Sequence, residues 1–211
     1  HIKNGTPIIY QAPLEDPIAK LRGSCDLIIR SDWFEHLFID NPIPPTECTA
    51  NCALHDGFHY RVLDIKWMML KLKVDGRSPL SHPLLPVYRA QLGIYNYLLG
   101  RIQGYTAPHT YILGKGSSFN SNRRSIASNN SWERLGVLSY DNDFIQQMLD
   151  AIRWTRSVRT FGHNWNIKPF GETPSIKYLY PNMCNKYDTP YSLRKQQLAQ
   201  QMGELTQIWN V

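Results

Sequence analysis

Apolar residues in this chain recur in short runs, separated by polar segments rich in Pro, Gly, Asn and Asp. Ile8-Ile9-Tyr10-Gln11-Ala12 predicts a first strand. Cys25-Asp26-Leu27-Ile28-Ile29-Arg30-Ser31-Asp32-Trp33 predicts a second, entered through the turn-prone Arg22-Gly23-Ser24. Residues 40 to 57 carry Pro, Asp, Asn and Thr and predict an inserted loop. Tyr60 to Met68 reads as a third strand, and residues 74 to 86, with four Pro and Gly among Ser and His, as another loop. From Val87 to Arg101 the apolar spacing becomes helical through Leu92, Tyr95, Leu98 and Leu99, and Gln103-Gly104 ends the helix. His109 to Gly114 predicts a strand, Ser117 to Ser131 a mobile polar loop, and Trp132 to Tyr140 a further strand. Asp143 to Phe161 predicts an amphipathic helix with Phe144, Met148, Ile152 and Val158 inward. Residues 162 to 190 are irregular and aromatic, and Tyr191 to Leu205 predicts a last helix. The order strand, strand, strand, helix, strand implies an α/β domain around a small mixed sheet.

One strand breaks the pattern. Tyr60-Arg61-Val62-Leu63-Asp64-Ile65-Lys66-Trp67-Met68 holds a carboxylate and an ammonium two residues apart, so Asp64 and Lys66 project from the same face. Buried charge is costly unless it is paired or holds a metal. Asp26, at the start of the preceding strand, can converge with Asp64 if the two strands pair. Two carboxylates suit a hard cation such as Mg2+ or Mn2+, which keeps waters and takes phosphate oxygens. Such an ion activates water against a phosphodiester, with Lys66 able to hold the water or to offset phosphate charge. The Asp64/Lys66 pair alone is equally compatible with an ordinary salt bridge. Gln91 and Tyr95, at i and i+4, share one face of the next helix. They are placed either to support the lysine or to fill the core. Gly93 between them costs helix stability of about 1 kcal/mol and predicts close approach of another element.

The bulk composition narrows the partners. The chain has 211 residues, 42% hydrophobic, enough for one domain with a sizeable core. Lys plus Arg number 23 against 17 Asp plus Glu, a net +6 that mildly favours an anionic partner. No apolar run approaches the roughly 20 residues of a membrane helix. Four scattered cysteines argue for a reducing compartment rather than a disulfide framework. The chain opens at His1-Ile2-Lys3 without a Met and stops on the apolar Gln207-Ile208-Trp209-Asn210-Val211, which predicts a module of a longer protein. There is no Gly-x-x-x-x-Gly-Lys-Ser/Thr phosphate loop and no Gly-x-Ser-x-Gly elbow.

Three segments in order, Arg22-Gly23-Ser24-Cys25-Asp26-Leu27-Ile28-Ile29-Arg30, then Leu63-Asp64-Ile65-Lys66, then Gln91-Leu92-Gly93-Ile94-Tyr95, resemble the motifs of PD-(D/E)XK nucleases. The similarity is to the RecB-like branch, which includes CRISPR-associated exonucleases, and covers roughly residues 5 to 115. Residues 116 to 211 resemble segments of proteins from large DNA viruses. The resemblance implies a restriction-endonuclease-like α/β core over about residues 5–140. In that core a central mixed sheet is flanked by helices, with a helical extension over about 141–211 of the same domain. It implies metal ligation by Asp26, Asp64 and the Ile65 carbonyl, with catalysis by Asp26, Asp64, Lys66, Gln91 and Tyr95. The implied activity is Mg2+- or Mn2+-dependent hydrolysis of single- or double-stranded DNA by one- or two-metal activation of water, from an end. The implied setting is intracellular: cytoplasm, nucleus or viral factory. Many relatives carry a further His or Glu ligand on a helix ahead of the first strand, and no such helix is visible here. The alternative is therefore an inactive nuclease-fold module that binds DNA within a larger protein.

Other constellations are weaker. Cys48, Cys52, His55 and His59 are zinc-capable types, but the short gaps and the strand beginning near His59 argue against zinc. Cys25, Cys48, Cys52 and Cys184 lack the grouping of an iron-sulfur relative, and Cys25 fits a small buried residue. Arg123 and Arg124 in the polar loop, and Arg153, Arg156 and Arg159 along a helix beside Trp154, are candidate nucleic-acid contacts. His163, Trp165 and Lys168 follow them. A basic stripe can track phosphates while aromatics stack on bases, and it can equally be a solvated helix face.

Overall fold

A computed structural model describes residues 1–121, 124–166, 176–185 and 188–210. The chain divides into two compact units, His1–Leu149 and Asp150–Val211. The first contains β1 (Ile8–Asp16), β2 (Leu21–Arg30), the single turns α1 (Phe34–Leu37) and α2 (Pro45–Cys48), β3 (Tyr60–Lys71) and α3 (Leu85–Gln103). It continues through β4 (His109–Ser121), β5 (Arg124–Ser128), β6 (Gly136–Ser139) and the opening turns of α4 (Asn142–Phe161). The strands form one six-stranded sheet in the order β1-β2-β3-β4-β5, with β6 also pairing β4. Every pairing is antiparallel except β3 with β4, whose parallel register is made possible by the crossover through α3. The chain is thus a mixed α/β fold with a central mixed sheet flanked by helices.

Both faces of the sheet are covered, which is why its central strands read as continuous apolar runs. Val62 and Ile112 join Leu92, Leu98 and Leu99 of α3 in one core. Leu63, Tyr111 and Leu113 face the other way, against Phe34, Phe38 and Ile43 of the segment that follows β2. Alternation slips in the β1–β2 hairpin. Ile9 and Ala12 of β1, three residues apart, both enter the α3-side core, and so do their partners Ile28 and Cys25 of β2. The slip falls at Gln11, whose φ of 48° is left-handed, and opposite it at Asp26.

Helix α3 ends at Gly104, whose φ of 69° lets its amide reach the Gly100 carbonyl, as the Gln103-Gly104 punctuation predicts. A Cβ on Gly93 would lie 2.9 Å from Tyr140 and 3.1 Å from Met148, so this glycine does admit a neighbouring element, the start of α4. Several expectations are corrected. Arg22-Gly23-Ser24 is not a turn but lies within β2, and the hairpin turns at residues 17–20 instead. Ser31 to Trp33 leave the strand as a 3-10 turn. Much of the stretch from Ser117 to Ser131 is strand rather than loop: β4 runs to Ser121 and pairs with β5 from Ser117↔Ser128 to Ser121↔Arg124. Such a ribbon needs backbone pairing rather than apolar side chains, so low apolar content hid it. Of Trp132 to Tyr140 only Gly136–Ser139 is strand. Val158 is exposed rather than inward, whereas Met148 is buried.

In the second unit Trp154 stacks on Trp165 at 5.4 Å and meets Tyr178 edge-on at 5.0 Å. Helix α5 (Ser192–Met202) buries Leu198 and Ala199. Lys195 pairs with Asp188 at 2.5 Å. Among the described residues no helix is long and apolar enough to cross a membrane.

Candidate active site

Register brings the candidate residues into one row. The last β2–β3 pair is Leu27↔Leu63, and one step further the same register sets Asp26 opposite Asp64. Backbone pairing ends at Leu27↔Leu63, and Asp26 Oδ2 takes the Ile65 amide at 2.8 Å in place of a backbone carbonyl. Its other oxygen accepts from Gln11 Nε2 at 3.1 Å. The left-handed backbone of Gln11 is the local cost of aiming that amide at Asp26. Each Asp26 oxygen keeps a second lone pair for another partner.

Asp64 is 1% exposed and Lys66 Nζ stands 2.5 Å from its Oδ2. That contact is an ion pair without hydrogen-bond alignment, and Oδ2 has no aligned donor. Burial pushes the Asp64 carboxyl up to about 6. Lys66 pulls it down, and the Asp26 carboxyl, within hydrogen-bonding reach, pushes it up again. A buried, incompletely satisfied carboxylate beside a second carboxylate is a donor set that a divalent cation would relieve. All the side-chain ligands are hard oxygens, which suits Mg2+ or Mn2+. The residues present therefore fit such an ion, held by Asp26 and Asp64. Among the described residues no cluster of three or more His, Cys, Asp or Glu side chains is placed to bind a metal. Ile65 turns its side chain outward, 41% exposed, and its amide is committed to Asp26.

A relay fixes the lysine. Lys66 Nζ donates to Gln91 Oε1 at 3.4 Å, and Gln91 Nε2 donates to the Tyr95 hydroxyl at 3.1 Å. The Tyr88 ring lies under the ammonium, 4.7 Å from its centroid. Tyr88, Gln91 and Tyr95 are spaced by three and four residues and so form one stripe of α3. Tyr95 in turn packs its ring on Gly23 of β2, where a Cβ would stand 2.4 Å from it. An alanine in a strand is normally favoured over glycine. Here Gly23→Ala is expected to destabilise the fold by about 1–3 kcal/mol through overpacking. The check is the urea midpoint, and an unchanged or higher midpoint would mean that the ring does not depend on this gap.

Tyr88, Gln11 and Gly23 carry site roles that sequence reasoning missed. Tyr88 was legible from helical spacing alone. The left-handed Gln11 was not, because only the β1–β2 pairing imposes it.

The remaining candidates have other partners or other settings. Cys48 donates its thiol to the Ser31 carbonyl, His55 Nε2 meets the Ile2 carbonyl at 2.7 Å, and His59 Nδ1 meets the Ala50 carbonyl at 3.0 Å. These bonds explain three of the four zinc-capable side chains as loop anchors. Cys25 is fully buried, with its thiol pushed up to about 12 by burial, the behaviour of a packing residue. Arg124 is exposed on β5, not in a loop. Arg153, Arg156 and Arg159 sit on the part of α4 within the second unit, where Arg153 pairs with Asp150. Trp154, though 40% exposed, stacks on Trp165 and meets Tyr178 edge-on. Arg123 and Lys168 lie outside the described residues. No protein-family model matches the chain, and no curated protein matches it significantly.

Proposed function

We propose that this chain is a divalent-metal-dependent DNA nuclease of the PD-(D/E)XK type, similar to the RecB-like branch. The observation that carries the reading is the row Asp26, Asp64 and Lys66. It sets two carboxylates side by side, one of them buried and raised to about 6, with an ammonium 2.5 Å away that is itself tethered to Gln91. An ordinary structural salt bridge needs neither the second carboxylate nor a glutamine relay. The net +6 charge supports a polyanionic substrate.

In this reading Asp26 and Asp64 hold Mg2+ or Mn2+, which when bound supplies Lewis acidity to a phosphate oxygen and acidity to a water. Lys66 places a fixed positive charge beside the reacting phosphate and orients the attacking water. Gln91 restricts the ammonium by accepting a hydrogen bond from it, and Tyr95 fixes Gln91 by accepting a hydrogen bond from its amide. Gln11 holds Asp26 in its coordinating position, and the Ile65 amide does the same from β3. Strand polarity and end preference would be set outside this row.

Lys66→Met separates binding from chemistry. The variant is expected to bind Mn2+ with little change, read by calorimetry, while cleavage of a labelled DNA falls by roughly 100-fold or more. Undiminished cleavage by the folded variant would remove Lys66 from the mechanism. Metal-independent DNA binding with no cleavage by wild type would mark the chain as an inactive nuclease-fold module.

A further inference from the structure

A cavity of about 280 Å³ lies on the α3 side of the sheet and shares Tyr88 with the Asp26/Asp64/Lys66 site. Met68 and Leu70 of β3 form its floor, and Leu85 and Tyr88 of α3 form one wall. It begins where β3 is bulged. Lys66 pairs with Gly114 and Met69 with Gly116, so two β3 residues oppose one of β4. Met68 is roughly 7 Å along the strand from Lys66, at about 3.3 Å per residue.

We propose that this cavity receives one unpaired nucleobase of the strand whose phosphate lies at Lys66. The identity of that strand rests on the nuclease reading. Tyr88 links the two sites, since it lines the cavity while its ring faces the Lys66 ammonium at 4.7 Å. The lining is mostly apolar and includes the Tyr88 ring, the kind of surface on which a base stacks irrespective of its sequence. No lining residue is acidic, and Lys71 at the rim complements a phosphodiester backbone. His82, also at the rim, accepts the Leu84 amide on Nδ1 at 3.2 Å, which makes Nε2 its donor nitrogen and suits a base carbonyl. The volume lies at the small end of ligand pockets, sized for a single ring system rather than a whole nucleotide. A base can enter only if it has left its stack and its partner, so the substrate at this position is single-stranded or a frayed end.

The test is binding of end-labelled single-stranded oligodeoxynucleotides in Ca2+, read by fluorescence anisotropy, with an abasic site moved through each position. Wild type is expected to lose roughly 10-fold or more in affinity when one particular position lacks its base. Leu80→Trp, at a rim residue 44% exposed, fills the mouth without disturbing the core and is expected to level the scan. A flat scan with wild type, no binding of any strand, or a position dependence that survives Leu80→Trp overturns the proposal. A flat scan from a protein that still cuts DNA in Mn2+ overturns the cavity alone. A position-dependent scan from a protein that never cuts overturns the nuclease reading and leaves the base site standing.

Discussion

Asp64→Asn is expected to abolish Mn2+-dependent DNA cleavage and, in EDTA at pH 7.5, to make the fold more stable by about 1–3 kcal/mol. The two effects have one cause. The Asp64 carboxylate is buried beside Asp26, and Lys66 does not fully offset its desolvation, so its folded value rises from 3.8 to about 6. A carboxyl raised on folding is bound to its proton more tightly in the native state. Stability is therefore highest below pH 3.8 and falls as pH rises through 6, a penalty of roughly 3 kcal/mol at neutral pH relative to the protonated form. Asparagine removes the charge and with it most of that penalty. It also removes a metal ligand, so Mn2+ at about 100 times its dissociation constant should raise wild-type stability by about 2.7 kcal/mol and the variant's by much less. Urea titrations with and without metal read both quantities. A variant less stable than wild type in EDTA, or one that still cleaves, would sink the assignment of Asp64 as a strained metal ligand.

The pH profile sharpens the same expectation. His59 is fully buried and burial, with the Arg61 guanidinium beside it, lowers it from 6.5 to about 4. A histidine lowered on folding stabilises above pH 6.5 and loses that stability as pH falls through 4. Between pH 4 and 6 the Asp64 and His59 slopes therefore oppose and partly cancel in wild type. In Asp64→Asn the His59 slope stands alone, and metal-free stability should rise with pH across that window.

The parts of this site that sequence could show are those set by local periodicity. Asp64 and Lys66 are two apart on a strand, and Gln91 and Tyr95 four apart on a helix, so each pair is forced onto one face before any tertiary contact exists. Gly104 and Gly93 were readable for the same reason. Asp26 was readable as a partner only if its strand paired with the next, which the register provides. What stayed hidden depends on contacts between elements. Gly23 looks like turn punctuation, yet it is a strand residue kept small by the Tyr95 ring, while the real turn at residues 17–20 has no glycine. The polar β4–β5 ribbon is held by backbone pairing that composition does not encode. Arg61 sits inside an apolar run just as Asp64 does, one step out of phase, and so buries its charge on the opposite face from the site.

Glu47→Ala is expected to lower stability by about 3 kcal/mol with no direct effect on the metal row. Arg61 is fully buried and all three arms of its guanidinium are used. Nε donates to His59 Nε2 at 2.7 Å, one terminal nitrogen to the Tyr111 hydroxyl at 3.3 Å, and the other to Glu47 Oε2 at 2.8 Å. Glu47 is the one carboxylate in this set. Removing it leaves a guanidinium uncompensated in a dry environment, where breaking a buried pair costs about 3–5 kcal/mol. Glu47 is itself 29% exposed, so water can enter after truncation and the lower end of that range applies. The loss reaches beyond one bond, because α2 carries Glu47 and Cys48, and Ser31 donates to the Cys48 carbonyl at 2.5 Å. The residue 40–59 segment is thereby fastened to β3 through Arg61 and to the end of β2 through Ser31. Arg61→Met added to Glu47→Ala removes the stranded charge and is expected to recover part of the stability, since an apolar residue of similar length can fill the space. Urea midpoints for the two singles and the double close the cycle. A Glu47→Ala cost below about 0.5 kcal/mol, or a double variant no better than the single, would mean that water already solvates Arg61 and that this pair does not hold the segment to the sheet.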